Sequence, residues 1–504
     1  MSATACGDDD PIVPTEDAGD VGDVDGVDAD DADAEPDDAD EDGDVDGPTA
    51  LLQVIHEAPD PDARVVDVYV NGDLFIDDFE FRSATAFRAV PADAVLSVSV
   101  APADSTSADD SIAELGTVNL AEDEEFAAVV HGVVDPSAVS EVGDGREIAL
   151  GLELLEDART EPVGSDDEAV VFHSGPDIPA VDVVLDDAQA VVDDLGYAEF
   201  SEYVEFPAGQ HTLDVVRAVD QRRYESFQTS DLGGGTSFVL VVSGMLEVEG
   251  TERPELAMMA YRPDGQAVAL DQAARLQVVQ NSADPAVGPV DVYVDDERIA
   301  EDLAFRQASS FKTLLSGVDL EVAVVPAGAD VSEAAISETT RLGEGGSYLG
   351  VASGVADPDE FADNPDGADI SLDFIAGNTR ERSTVGEEVQ LRAFHGVTDA
   401  PAIDVVHLEN GEQLLVEDLS YGEFSDLLSL DPQNLQLQVR PTGDSSPVAT
   451  IGLDVNGDAG RGINLVASGF LDPEANPTNG IEDPGFALLA ITQEGEVTVL
   501  KPAQ

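Results

Sequence analysis

VVDVYV at residues 65–70 decides how this chain is read, because the same apolar run around one aspartate returns as AVDVVL (180–185), PVDVYV (289–294) and AIDVVH (402–407). The aspartates are Asp67, Asp182, Asp291 and Asp404, at a pitch of roughly 110 residues, the scale of a small domain rather than of a solenoid repeat. Two further markers keep the same order. DDFEF (77–81), DDLGY (193–197), EDLAF (301–305) and EDLSY (417–421) follow each aspartate. HGVVDP, SGMLEV, SGVADP and SGFLDP then place Gly132, Gly244, Gly354 and Gly469 near the end of each copy. Three markers in fixed order mean four copies of one module. The expected boundaries are 1–48 for an acidic leader and 49–162, 168–272, 274–384 and 387–504 for the modules.

Within a copy the runs are short, apolar or alternating, and broken by Gly, Pro and Asp. In the first they read LLQVIH (51–56), VVDVYV, DLFIDDF (73–79), TAFRAV (85–90), AVLSVSV (94–100), EFAAVVHGV (125–133) and EIALGLELL (147–155). These are strand patterns, and Asn71-Gly72 between two of them supplies the positive φ that a tight hairpin needs. Asp186-Asp187, Asp295-Asp296 and Asn410-Gly411 fall at the same turn. About seven strands per copy predicts an all-β protein of four immunoglobulin-like antiparallel sandwiches. A weak helical pattern is confined to Ser332–Ser337.

The formal charge is −87, with twenty acidic side chains and no Lys or Arg in the first fifty residues. The modules are acidic as well, and of the 21 basic residues only Lys312 and Lys501 are lysines. Such a surface repels phosphate backbones and anionic lipid heads, which argues against nucleic acid and bare membrane as partners. It suits solvation in salt, as in proteins of saline habitats; a calcium-loading surface and a basic partner are the alternatives. No apolar stretch is long enough for a membrane-spanning helix.

The single cysteine, Cys6, rules out an intrachain disulfide framework. Ala3-Thr4-Ala5-Cys6 resembles the end of a bacterial lipoprotein signal, which makes Cys6 a candidate lipidation site. The basic and apolar parts of such a signal do not precede it, and Ala3 stands where leucine is common. The acidic, low-complexity segment 7–47 is then a tether. Its Asp42–Gly47 mimics the opening of a calcium loop but fails at the twelfth position, which is Gln53.

The phrase VVFHSGPDIPAVDVVLDD (170–187), the DDL turn region, EFPAGQHTLDVV (205–216) and the late strand ending in Ser-Gly resemble the domain-of-unknown-function 4397 family of secreted and surface proteins. The resemblance covers nearly all of residues 49–504. Copy three departs, with Asn281 in the histidine position and Leu315-Ser316-Gly317 at the PAG turn; copy four has Asp431-Pro432-Gln433 there. The resemblance implies an all-β extracellular module and no defined activity.

His56, His173, Asn281 and His395 are expected to tie down the loop before the aspartate strand, since asparagine is a poor substitute for a metal-bound histidine. Asp67, Asp182, Asp291 and Asp404 are expected to face solvent or bond across strands. The adjacent acids, such as Asp77-Asp78, mark a turn rather than an acid/base pair, because strand neighbours point to opposite faces. The Ser-Gly glycines call for a bulge or positive φ. No serine sits in a G-x-S-x-G elbow, and no C-x-x-C, H-E-x-x-H or phosphate-cradling loop occurs. The loops after each Ser-Gly, carrying Asp135, Asp144, Glu247, Glu249, Asp357, Asp359, Asp472 and Asp483, are the candidate binding surface. The expected function is therefore a non-enzymatic cell-surface or secreted protein for adhesion, ligand capture or spacing. It would act on an extracellular ligand or envelope component, with no cofactor and with the lipid anchor as its membrane link. A carbohydrate-active hydrolase with a carboxylate site between modules, and a calcium-stiffened stalk, are the alternatives.

Overall fold

A computed structural model describes residues 47–502 except 141, 208, 230–234, 247–251, 382–387 and 409–410. Cys6, the segment 7–46, Glu247, Glu249, Asn410 and Asp42–Asp46 of the calcium-loop mimic lie outside the described residues.

The described chain is all-β, without an α-helix, and falls into four modules of nine strands. Module 1 holds β1 (Thr49–Glu57), β2 (Val65–Val70), β3 (Asp73–Glu80), β4 (Ser83–Ala84), β5 (Arg88–Pro91), β6 (Val95–Pro102), β7 (Ala113–Asn119), β8 (Glu125–His131) and β9 (Gly151–Glu156). One sheet runs β3-β2-β6-β7, and the other β4-β1-β8-β9 with β5 also on β1. The strands beyond the expected seven are β4, of two residues, and β7, whose AELGTVN is too polar and glycine-interrupted to announce itself. The predicted helix at Ser332–Ser337 is instead a 3-10 turn at Val331–Glu333 running into a strand, Ile336–Arg341. Six residues of weak helical pattern could not outweigh the sheet partner waiting at Asp319–Pro326.

One pairing differs from an all-antiparallel sandwich. β1 runs parallel to β8, and the same parallel pair recurs at Asp167–His173 with Ser237–Ser243, Ala274–Gln280 with Ser347–Ser353, and Val389–His395 with Gly462–Ser468. Among the described residues the remaining pairs between strands are antiparallel, and isolated parallel bridges such as Val133–Ala149 lie outside the strands.

Each module has its own core between its two sheets, such as Leu52, Val66, Val100 and Phe126 in module 1. Burying each such side chain contributes about 1.5–3 kcal/mol before entropy is counted. The opposite face of the parallel pair is buried as well. Ile55, Ala127 and Val129 of module 1 pack on Val170, Phe172, Val239, Val241, Met259 and Tyr261 of module 2. Val279, Leu349 and Val351 of module 3 pack likewise on Phe394, Val466, Leu489 and Ile491 of module 4. Modules 1 and 2, and modules 3 and 4, are thus joined sheet face to sheet face.

The contact between modules 2 and 3 is of another kind. Arg223 pairs at 2.8 Å with both Asp187 and Asp214, and Thr313 donates to Asp214 at 3.0 Å. Burial pushes the Asp214 carboxyl up to about 7 against the pull of Arg223.

Candidate functional site

The histidine position lies at the end of the first strand. His56 Nδ1 accepts from Ala58 N at 3.4 Å and Nε2 faces Ala63 O at 2.8 Å; His173 and His395 repeat both contacts, with Gly175 and Pro179, and with Val397 and Pro401. Only a neutral ring with its proton on Nε2 satisfies both. Desolvation lowers the pKa of His56 and of His173 to about 4, so the neutral form prevails.

In module 3 the equivalent residue is Gln280, not Asn281. Gln280 Oε1 accepts from Ser282 N at 2.6 Å and Nε2 donates to Gly288 O at 2.9 Å, reproducing the ring's two bonds with an amide. The strand register agrees, since Gln280 pairs with Ala352 as His56 pairs with Val130. Asn281 sits one place further, where the other modules have Glu57, Ser174 and Gly396, and donates to Gly396 O at 3.1 Å. The expected tying role holds for the position; the residue assigned to it in module 3 is corrected by one.

The mid-strand aspartates hold a β-bulge. Asp67 lies opposite Asp77 and Asp78, where the register between β2 and β3 shifts. Asp78, Asp194, Asp302 and Asp418 all have φ near the left-handed region, at 50, 53, 52 and 53°. Each donates its backbone N–H to the aspartate of the neighbouring strand, at 3.1, 2.7, 2.7 and 2.9 Å. The paired acids therefore form a bulge rather than a turn, and of the two expectations for Asp67, Asp182 and Asp291, bonding across strands holds, with all three buried rather than facing solvent. Asp67, Asp77 and Asp78 lie close enough to share a cation, but both Asp67 oxygens already accept hydrogen bonds, one of them from Ser105.

The glycines Gly132, Gly244, Gly354 and Gly469 have φ of 90, 90, 100 and 88°. A Cβ on Gly244 would stand 2.2 Å from Glu255 O, and Gly132 and Gly354 are as crowded. Two residues on, a backbone N–H meets a second aspartate that sequence reasoning passed over. Val134, Leu246, Ala356 and Leu471 donate to Asp60, Asp177, Asp284 and Asp399 at 2.8, 3.0, 2.8 and 2.7 Å. The signal was present: each of these acids stands four residues after His56, His173, Gln280 or His395.

Across each face-to-face contact the two partners use different locks. Arg82 Nε donates to Ser243 Oγ at 2.9 Å, and Arg306 Nε to Ser468 Oγ at 3.1 Å. In the other direction Tyr197 meets His131 Nδ1 at 3.0 Å, and Tyr421 meets Ser353 Oγ at 3.4 Å. Ser243 and Ser468 are thus acceptors for the neighbouring module. Beside Arg82, the fully buried Glu57 accepts from Tyr261 and Ser174, and burial raises its carboxyl to about 7, only partly offset by Ser243, Tyr261, Arg82 and Ser174.

Several of the candidate loops serve the same joints. Asp135, Asp357 and Asp472 cap short 3-10 turns. Asn364 reaches Thr398 O and Ala400 O at 2.9 Å, Ala362 N donates to Asn476 at 3.0 Å, and Arg253 donates to Ala138 O at 2.6 Å. Asp144 pairs with Arg146, which in turn reaches Ile178 O at 2.7 Å, while Asp359 is exposed. Asp483 lies 4.0 Å from Arg306 and also pairs with Lys501.

No curated protein matches the chain. A solved structure of the Bacillus anthracis TIE protein is similar at 10% identity over 80% of this chain, with a TM-score of 0.13 that carries no argument. The chain spans 65% of that protein's length. A family profile matches residues 50–146, 168–288 and 389–484, which takes in most of modules 1 and 4, nearly all of module 2 and the first strand of module 3. That is most of the four repeats, and the chain belongs to the family described as Domain of unknown function (DUF4397).

Proposed function

We propose that this chain is a non-enzymatic extracellular repeat protein whose modules, locked two by two, serve as a rigid presenting or spacing element. The observation that supports the reading is the use of the recurrent polar residues. The histidines or Gln280, both sets of aspartates, and the Ser-Gly serines or His131 are taken up by hydrogen bonds that hold loops, bulges and module contacts. The acidic, lysine-poor surface suits solvation in salt. Cys6 is the proposed lipid attachment point.

Protease shaving of intact cells, with metabolic labelling by an alkynyl fatty acid, tests this. Release of module fragments and label lost on Cys6→Ser are expected. A protected, unlabelled protein overturns the surface placement, and turnover of a glycan panel that is lost on changing one carboxylate overturns the non-enzymatic reading.

A further inference from the structure

The two sheets of module 4 part along one side into a groove of about 490 Å³. One wall is Gln413–Leu419, the outermost strand of its sheet; the other is the run from Glu423 into Leu428–Leu430, the outermost strand of the facing sheet. Gln413–Leu419 pairs with Ile403–His407 and with no other described strand, so the outward half of its backbone groups has no strand partner. Leu415, Phe424 and Leu428 are half-buried along the groove, and Leu414, at 49% exposure, stands at its lip. Glu417, Asp418, Glu423 and Asp426 are exposed around it.

Module 1 closes the same seam with a cation of its own. By strand register Arg88, opposite Leu52, corresponds to Leu428, opposite Leu391, and Phe75 corresponds to Leu415 at the bulge of the neighbouring hairpin. The Arg88 guanidinium lies 3.7 Å from the centre of the Phe75 ring and donates from Nη2 to Phe75 O at 3.1 Å, which bridges the two sheets. Module 3 neutralises the rim instead. Its Arg298, at the place of Leu414, pairs at 2.9 Å with Glu301, the counterpart of Glu417. Module 4 has neither device. The side chains of Glu417, Asp418 and Asp426 make no hydrogen bond or ion pair among the described residues, and the Glu423 carboxylate accepts from Ser420 N at 3.2 Å. Arg392 acts on Asp426 through its charge without pairing with it.

We infer that this groove binds an extended basic segment of a partner protein, laid as an added strand along Gln413–Leu419, with its basic side chains on the acidic rim and its apolar ones over Leu415 and Leu428. Strand geometry sends successive side chains to opposite faces, so a segment alternating apolar and basic residues meets the leucines and the carboxylates at once. Occupants from this chain are repelled by the rim. The first fifty residues hold twenty acids and no Lys or Arg, and a second copy brings a charge of −87. The inference rests on this groove and not on where the protein resides.

Titration calorimetry on the full chain, at about 0.1 M sodium chloride, tests it with an end-blocked octapeptide alternating lysine and valine. This peptide is expected to bind, and its isotope-labelled carbonyls to shift to the infrared frequency of a paired strand. A glutamate–valine version, and the lysine–valine peptide N-methylated at alternate residues, are expected to bind at least about tenfold more weakly. Glu417→Gln combined with Asp426→Asn, both at exposed positions, is expected to weaken binding by about tenfold. Leu428→Arg, which copies module 1, is expected to close the groove and abolish it. Absence of binding, equal binding of the glutamate or N-methylated peptide, or binding indifferent to the double substitution overturns the proposal. Preference for octylamine overturns the added-strand assignment in favour of a cationic lipid.

Discussion

The Tyr261 hydroxyl of module 2 donates to the Glu57 carboxylate of module 1, so a buried acid of one module is satisfied by its neighbour. Both groups are fully buried, and the Arg82 guanidinium lies on the same joint.

Burial of the Glu57 carboxyl, only partly offset by such bonds, gives the first pair a pH response. Glu57 titrates near 7 in the folded chain against 4.5 when exposed, so it contributes stability fully below about 4.5, which is lost as pH rises through about 7. Chemical denaturation of the 49–272 fragment is expected to show that loss, on the order of 3 kcal/mol, and Glu57→Gln to abolish it. A pH slope unchanged by the substitution contradicts the assignment.

His56 carries the opposite sign. Its folded pKa of about 4 lies below the usual 6.5, so its contribution is present above 6.5 and disappears as pH falls through 4. Because Gln280 makes the same two bonds, His56→Gln is expected to hold neutral-pH stability within about 1 kcal/mol and to flatten the acid limb. His56→Ala, which orphans a buried carbonyl and amide, should cost about 2–4 kcal/mol in the same titration.

Gly244→Ala sets a Cβ against the Glu255 carbonyl and imposes a left-handed φ on alanine. A loss of about 2–4 kcal/mol is expected in urea unfolding. The exposed turn glycine Gly443, with open space around its Cβ, should cost about 1 kcal/mol from φ alone.

Dissection tests the joining of modules. The fragment 49–272 is expected to be a monodisperse monomer, whereas 49–162 alone uncovers Ile55, Ala127 and Val129 and should self-associate in sedimentation velocity. Placing aspartate at Val129 of the longer fragment should loosen the joint without unfolding either core.

The charge of −87 predicts salt-dependent stability. Raising sodium chloride from about 0.1 to 1 M shortens the screening length from roughly 10 to 3 Å, and the thermal midpoint of the full chain should climb. A flat response in scanning calorimetry removes the argument for adaptation to brine.

Much of the module was legible because its period-2 strands and marker residues repeat. The Asn71-Gly72, Asp186-Asp187 and Asp295-Asp296 turns have the positive φ expected of them, and the Ser-Gly glycines are left-handed. Gln280 was missed because an amide replacing an imidazole is recognised by its two bonds rather than by its letter. The pairing of modules was missed although the sequence hinted at it. Asp167–His173 and Ser237–Ser243 are buried at every position, as strands covered on both faces must be. The locking residues are side chains from distant turns, and only the assembled sheets bring Arg82 to Ser243 or Tyr197 to His131.

The alternation of Arg82 and Arg306 with Tyr197 and Tyr421 also dictates how such a chain can lengthen. A guanidinium on one partner and a phenol on the other make odd and even copies non-interchangeable, so growth or loss by whole couples leaves every apolar surface covered. Gain or loss of a lone copy strands one sticky sheet, which makes two copies, rather than one, the heritable building step.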